Sequence, residues 1–254
     1  MKNGELSQKN HWDEAYSIAS DRINDKWVPT GYCEKLLEKI IMPVIEKYKP
    51  KTILEMGAGN SSWLPYIYHK TGAIVYGIDY SEKGCEMLRK KLPDCMSENV
   101  ICSDFFDEEL CEGLPKVDMV FSLGVIEHFD DPIKVLDVFK RFLKPDGIIL
   151  TEVPNITNRI RRICKWYQPS VFNTHVIHTQ DSLRDAYKAV GIEALESGIV
   201  GEFTLELVAW RLEPRYPRLD PIIARFGIHK MTHEKHDISN NTVDGPFIYI
   251  YGKN

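Results

Sequence analysis

Several common signatures are missing from this chain, and each gap removes a class of protein. No run of about 18 apolar residues occurs, so no membrane-spanning helix is expected. The opening Met-Lys-Asn-Gly-Glu-Leu-Ser-Gln-Lys-Asn is polar and carries no apolar core of the secretory kind, which makes a cytoplasmic address the expectation. The six cysteines (Cys33, Cys85, Cys95, Cys102, Cys111 and Cys164) include no Cys-x-x-Cys, so in 254 residues they read as reduced, buried thiols rather than a disulfide framework or zinc site. A basic excess is lacking too. With 32 Lys plus Arg against 37 Asp plus Glu the formal net charge is −5, unlike a general nucleic-acid binder that must neutralise phosphates. Repeats and low-complexity tracts are absent, as is the G-x-x-x-x-G-K-[ST] phosphate loop. What remains, 43% hydrophobic and 27% charged, is globular composition for one domain with insertions.

The order of elements therefore has to carry the architecture, and it alternates. Apolar residues at helical spacing (Leu36, Leu37, Ile40, Ile41, Val44, Ile45) predict a helix over about 31–48. A strand at 52–56 then runs into Gly57-Ala58-Gly59, with a helix beginning near Ser61. A second strand, 73–78, ends at Asp79, with Ser81 placed to cap the helix that follows. A third strand, 99–102, ends at Ser103-Asp104, and 107–112 reads as an acidic loop. A fourth covers 117–122; Asp130-Asp131-Pro132 then cap a helix over 132–143, and Lys144-Pro145-Asp146-Gly147 reads as a turn into a fifth strand, 148–153. The stretch 154–179 looks irregular. After it come a helix at about 180–190, a strand at 192–200, broken helices over 203–232, a loop at 233–245 and a terminal strand at 247–251. Such alternation predicts a parallel α/β sheet with helices on both faces, which binds ligands at the strands' carboxyl ends.

At those ends the residues become specific. Gly57 and Gly59 let backbone approach a ligand at the first crossover, and Asp79 closes the next strand 20 residues after Gly59, where a carboxylate can accept from both hydroxyls of a ribose. A dinucleotide fold would want glycine at position 62, where Ser62 stands.

The segments ILEMGAGNSS (53–62), VYGIDYS (75–81), Ser103-Asp104-Phe105, VDMVFSLGVIEHFDDP (117–132), LKPDGIILTEVPN (143–155) and HVIHTQDSLRDAYKAVGIEAL (175–195) together resemble the class I S-adenosylmethionine-dependent methyltransferases. The likeness is to the small-molecule branch related to ubiquinone- and menaquinone-biosynthesis enzymes, and it extends over most of the chain. It implies a Rossmann-like three-layer sandwich with a seven-stranded, mostly parallel sheet of order 3-2-1-4-5-7-6, the last strand antiparallel. On that model the chain is a single domain: an N-terminal helical cap at 1–48, a cofactor-binding core at 49–153, and acceptor-side segments with the last strands at 154–254.

The resemblance also implies site residues. Gly57 and Gly59 would pass beneath the methionine part of S-adenosylmethionine, with Glu55 near its amino group. Asp79 would hold the ribose, Tyr80 would cover the adenine, Asp104 and the Phe105 backbone would meet the adenine edge, and Ser122, Leu123 and Gly124 would line the other side. Trp12 and Tyr16 resemble the W-D-x-x-Y opening of many such enzymes, where an N-terminal helix lies over the cofactor. Trp27 is read equally as a site neighbour and as packing. Carboxylates and aromatic faces suit a sulfonium cation.

For the reacting centre, methyl transfer needs alignment and exclusion of water, and a hydroxyl acceptor benefits from a base working near neutral pH. His128 and His175 are the candidate catalytic residues, with His178 behind them. Loop-organising roles stay open for all three, for His128 through Asp130 or Asp131. No metal is expected, since no magnesium-type acidic set and no carboxylate partner for His175 or His178 is legible, and His229, His233 and His236 do not read as a zinc cluster. Arg159, Arg161, Arg162 and Lys165 form a basic run that either contacts an anionic small-molecule acceptor or is a solvated face. The aromatic residues Phe203, Trp210, Tyr216 and Phe226 either line a pocket or a homodimer interface or simply pack. The reading is O-methylation of a small-molecule, sugar-containing or natural-product hydroxyl. The alternatives are N-methylation of a small molecule or nucleic-acid amine, the latter disfavoured because Ser122-Leu123-Gly124-Val125 replaces the [N/D/S]-P-P-[Y/F] grip, and a non-catalytic S-adenosylmethionine-binding module.

Overall fold

A computed structural model describes residues 5, 6, 12, 13, 16, 27–167, 169–204 and 239–254. Helix α1 (Tyr32–Tyr48) is followed by strand β1 (Thr52–Met56), α2 (Trp63–Thr71), β2 (Ile74–Asp79), α3 (Glu82–Lys91), a single turn α4 (Asp94–Ser97) and β3 (Val100–Cys102). Then come α5 (Glu108–Gly113), β4 (Val117–Leu123), a 3₁₀ turn (Ile126–His128), α6 (Pro132–Arg141), β5 (Leu143–Pro154), α7 (Asn158–Tyr167), α8 (Pro169–Asn173), α9 (Gln180–Ala189), β6 (Glu193–Val200) and β7 (Phe247–Lys253).

The seven strands form one sheet in the order β3-β2-β1-β4-β5-β7-β6. β1 pairs in parallel with β2 and with β4, and β5 in parallel with β4, whereas β7 runs antiparallel to both β5 and β6. The expected fold class and strand order are thus observed. Side chains alternate across the sheet. Ile53, Met119, Phe121 and Leu150 face the layer of α1 and α2, while Leu54, Val120, Ile149 and Val153 face that of α6 and α9.

Capping chemistry fixes where the helices begin. Ser81 accepts from the Gly84 N–H (3.1 Å) at the start of α3, and Asp131 accepts from Ile133 N–H (3.0 Å) with Pro132 in the first turn of α6.

Three expectations are corrected. The acidic stretch 107–112 is helix α5, because Asp107 caps it through Glu109 N–H (3.0 Å). Lys144 to Gly147 is no turn between elements but an irregularity inside β5, whose pairing jumps from Leu143 opposite Val117 to Ile148 opposite Met119, with Asp146 in the left-handed region at φ 64°. Asp118 holds that irregularity, accepting from Lys144 Nζ (2.8 Å), Thr52 Oγ1 (3.0 Å) and the backbone N–H of Lys51 and Thr52. Finally, 154–179 contains helices α7 and α8, although 175–179 is indeed non-helical. The broken helices expected at 203–232 lie outside the described residues beyond Thr204, as do Trp210, Tyr216, Phe226, His229, His233 and His236. Among the described residues no helix is long and apolar enough to cross a membrane.

Candidate active site

β1 delivers the chain to the carboxyl edge of the sheet, where it must turn at once. Gly57 and Gly59 take positive φ angles of 68° and 30°. A Cβ on Gly57 would stand 2.6 Å from Val125 Cγ2, and one on Gly59 would stand 1.9 Å from the Tyr16 hydroxyl oxygen. Glu55, 4% exposed, accepts from Ser61 Oγ (2.6 Å), while the same oxygen takes the Trp63 N–H (3.0 Å) that opens α2. Burial pushes the Glu55 carboxyl up to about 8 against the lowering effect of the Ser61 bond. Lys91 reaches over from α3 and donates to the carbonyls of Asn60 (2.7 Å) and Ser61 (3.3 Å) and to Ser62 Oγ (3.1 Å). Ser62, which breaks the dinucleotide glycine pattern, is therefore an anchor for this lysine. Burial lowers Lys91 to about 8 while Glu55 opposes the shift.

Asp79 at the end of β2 bridges to this loop. Its Oδ2 accepts from Gly59 N–H (2.8 Å) and its Oδ1 from Ser81 N–H (2.7 Å); burial raises it to about 6, with those two bonds pulling the other way. Ser81 Oγ donates to Asp13 (2.5 Å), and the Tyr80 hydroxyl donates to Glu5. Asp104 after β3 accepts from Phe106 N–H (3.0 Å), and its charge helps raise Glu5, behind the larger effect of burial. The Phe105 ring turns inward against Phe106, Phe129 and Phe139, so only its backbone faces the site edge. Tyr16 lies over Gly59 and Gly84, and Trp12 stands 6.4 Å from it, centroid to centroid. Trp27 packs edge-on against Trp63 (5.0 Å) and Tyr66 (5.8 Å), a packing role.

β4 and the turn after it build the other half. Ser122 is fully buried, Leu123 is half-buried, and Gly124 (φ 65°) donates its N–H to the Glu152 carbonyl (3.1 Å). His128 lies in the 3₁₀ turn with its Nδ1 3.1 Å from the Thr174 carbonyl; a carbonyl can only accept, so Nδ1 carries a proton there. Trp12 meets the His128 ring edge-on at 5.0 Å, and His175 lies 4.5 Å away on another side. His178 is buried, which lowers its pKa, while a bond to the Ile126 backbone opposes the shift. Glu127 puts Oε1 4.0 Å from His128 Nε2, and Glu127, His128 and His175 bring one ligand atom each within 4.8 Å of one another, a set able to hold a metal ion. The histidines thus have a carboxylate neighbour that spacing did not reveal. By contrast Arg159, Arg161 and Arg162 are exposed on α7, and Arg159 is paired with Asp244 (3.2 Å).

The sequence reading passed over Glu5, Asp13, Lys91, Glu127 and Glu152. Glu5 precedes the sheet and carries no local pattern, whereas Asp13 is the acid of the W-D-x-x-Y opening and Glu152 is a charge within the run Ile148 to Val153, which a sheet buries only for a reason.

The residues fit a nucleoside-bearing sulfonium. Acidic side chains and aromatic faces ring two bare glycines, and among the described residues the buried Asn60 Oδ1 in the glycine loop has no hydrogen-bond partner. A family model described as a methyltransferase domain matches residues 27–197, and the chain belongs to that family, the class I S-adenosylmethionine-dependent methyltransferases, with S-adenosylmethionine as cofactor. Among curated relatives it is similar to a ubiquinone biosynthesis O-methyltransferase of Coxiella burnetii, with 29% identity over 150 residues, 56% of this chain and 62% of the relative. It is also similar to a tRNA U34 carboxymethyltransferase of Campylobacter jejuni, with 26% identity over 55% of this chain and 51% of the relative. The chain thus spans only 51% to 62% of these relatives. In fold it is similar to the methyltransferase in complex with the Trm112 methyltransferase activator of Haloferax volcanii (TM-score 0.61, 16% identity, 95% and 96% of the two chains). A SAM-dependent methyltransferase from Archaeoglobus fulgidus aligns with TM-score 0.56 and 19% identity over 87% and 94%.

Proposed function

We propose that this protein is an O-methyltransferase that moves the methyl group of S-adenosylmethionine to a hydroxyl of a small molecule. The observation that carries the reading is the His128 geometry: the Thr174 carbonyl takes the Nδ1 proton and fixes the ring in the turn after β4, where it would serve as the base. The likeness to a ubiquinone biosynthesis O-methyltransferase points the same way.

When bound, S-adenosylmethionine supplies an electrophilic methyl carbon on sulfur. The protein does the rest. Glu55 would face the cofactor's amino group, Asp79 its ribose, Tyr80 and Asp104 its adenine, with the Phe105 backbone and the Ser122-Leu123-Gly124 edge completing the wall. Gly57 and Gly59 provide close backbone approach, and Trp12 and Tyr16 exclude water from above. His128 Nε2 takes the hydroxyl proton as the acceptor oxygen attacks, and His175 borders the acceptor.

The test is release of S-adenosylhomocysteine with a panel of hydroxylated acceptors, using wild type, Asp79→Ala and His128→Ala. The expected pattern is loss of cofactor binding in the first variant and slowed turnover with intact binding in the second. Turnover confined to amine acceptors, or full activity in His128→Ala, overturns the hydroxyl assignment.

A further inference from the structure

Two buried carboxyls, Glu127 beside His128 and Glu152 on β5, have no work in the mechanism above. Glu127 and Glu152 are each 2% exposed, and among the described residues Glu127 Oε2 and Glu152 Oε1 have no hydrogen-bond partner. Buried carboxylate oxygens without donors are costly, and native structures keep them for a ligand or a proton.

The two belong to one place. Glu152 lies within the buried part of β5 opposite Leu123 of β4, its carbonyl takes the Gly124 N–H, and Glu127 Oε1 comes within 3.3 Å of where a Gly124 Cβ would lie. Gly124 leaves open the space that the Glu127 carboxyl borders. The charge of Glu127 adds to burial in raising Glu152. The titratable groups around them are His128, His175 and His178, and among the described residues no lysine or arginine pairs with either acid. His178 Nε2 and Ser122 Oγ, both buried at the same end of the sheet, are likewise without partners there.

An ionised carboxylate accepts and does not donate, so a ligand that displaces the protons of these two acids must itself bring donors and positive charge. We infer that Glu127 and Glu152 form a subsite for an ammonium group of the acceptor, held beside the hydroxyl that His128 serves. This rests on the proposed function, because it places an amine-bearing acceptor, such as an amino sugar or an aralkylamine, in that site. The ammonium is bound and is not the atom methylated.

The experiment uses the full chain saturated with S-adenosylhomocysteine and reads the unfolding temperature with methylammonium, tetramethylammonium, potassium or magnesium chloride added at matched ionic strength. Methylammonium should raise the midpoint by about 2 °C or more over potassium. Tetramethylammonium, which has no N–H, should not. Glu127→Gln and Glu152→Gln should each lose the response while binding S-adenosylhomocysteine within about threefold of wild type by calorimetry. Equal responses to methylammonium and potassium, a response to magnesium alone, or a methylammonium effect that survives both substitutions overturns the subsite. Failure of the cofactor calorimetry in wild type would instead strike the proposed function itself.

Discussion

At the scale of single residues, the densest chemistry lies in buried acids whose protons the fold retains. Glu55 and Glu127 are each raised to about 8 by burial, Asp79 to about 6, and Glu152 is raised as well. Where the folded chain holds protons that the unfolded chain has released, stability falls as pH rises. These groups ionise in the unfolded chain near 4, so the decline runs from there to about 8. The ligand-free protein should therefore melt at a lower temperature at about pH 8.5 than at about pH 6, and Glu55→Gln or Glu127→Gln should flatten that slope. A melting series across pH checks it. Asp79→Ala removes the acceptor of two backbone N–H groups and should weaken S-adenosylhomocysteine binding by about tenfold to a hundredfold in calorimetry. His128→Ala should leave that affinity intact and lower kcat by about a hundredfold or more. The glycines and Asp79 were legible because close approach and strand-end position leave marks in one chain. Glu127 and Glu152 were not read, since their pairing is made by Gly124 and the β4–β5 register, which a linear pattern does not display.

At the scale of elements, caps and one buried tie decide the boundaries. Asp131→Ala, which strips the α6 cap, should cost about 1 kcal/mol in urea unfolding. Asp118→Ala should cost more, about 2 kcal/mol, because that carboxylate joins the start of β1 to the irregular stretch of β5. Burial alone would raise Asp118, but Lys144, Thr52 and the backbone of Lys51 hold it down to about 2, so its contribution is lost as pH falls from the ordinary 3.8 toward that value. Strand β1 and helices α1, α6 and α9 were readable within a few residues from period and caps. Helix α5 escaped because acidic residues in a first turn resemble a solvated loop until the cap is seen. Lys144-Pro145-Asp146-Gly147 has turn composition, and only pairing across β4 makes it part of a strand.

At the scale of the whole molecule, the sheet brings loops from β1, β2, β4 and β5 to one edge, and binding there should stabilise everything the strands connect. S-adenosylhomocysteine at a hundred times its Kd should add about 2.7 kcal/mol to unfolding, a shift that Asp79→Ala should cut by about half or more in the same melt. Sheet order and layer count followed from alternation and family likeness together; the acceptor pocket did not, because it is assembled from segments that share no period.

The placement of β7 carries a further consequence, for the order in which the chain can become a protein. β7 lies between β5 and β6, and its partners are complete long before residues 247–253 are made. Until then, among the described residues, the β5 side facing β7 is an open hydrogen-bonding edge with Ile148 to Val153 behind it, and β6 has no neighbouring strand. During synthesis the described strands thus form a sheet with a gap one strand wide until residues 247–253 are made, and a chain released before that point would be an aggregation-prone template.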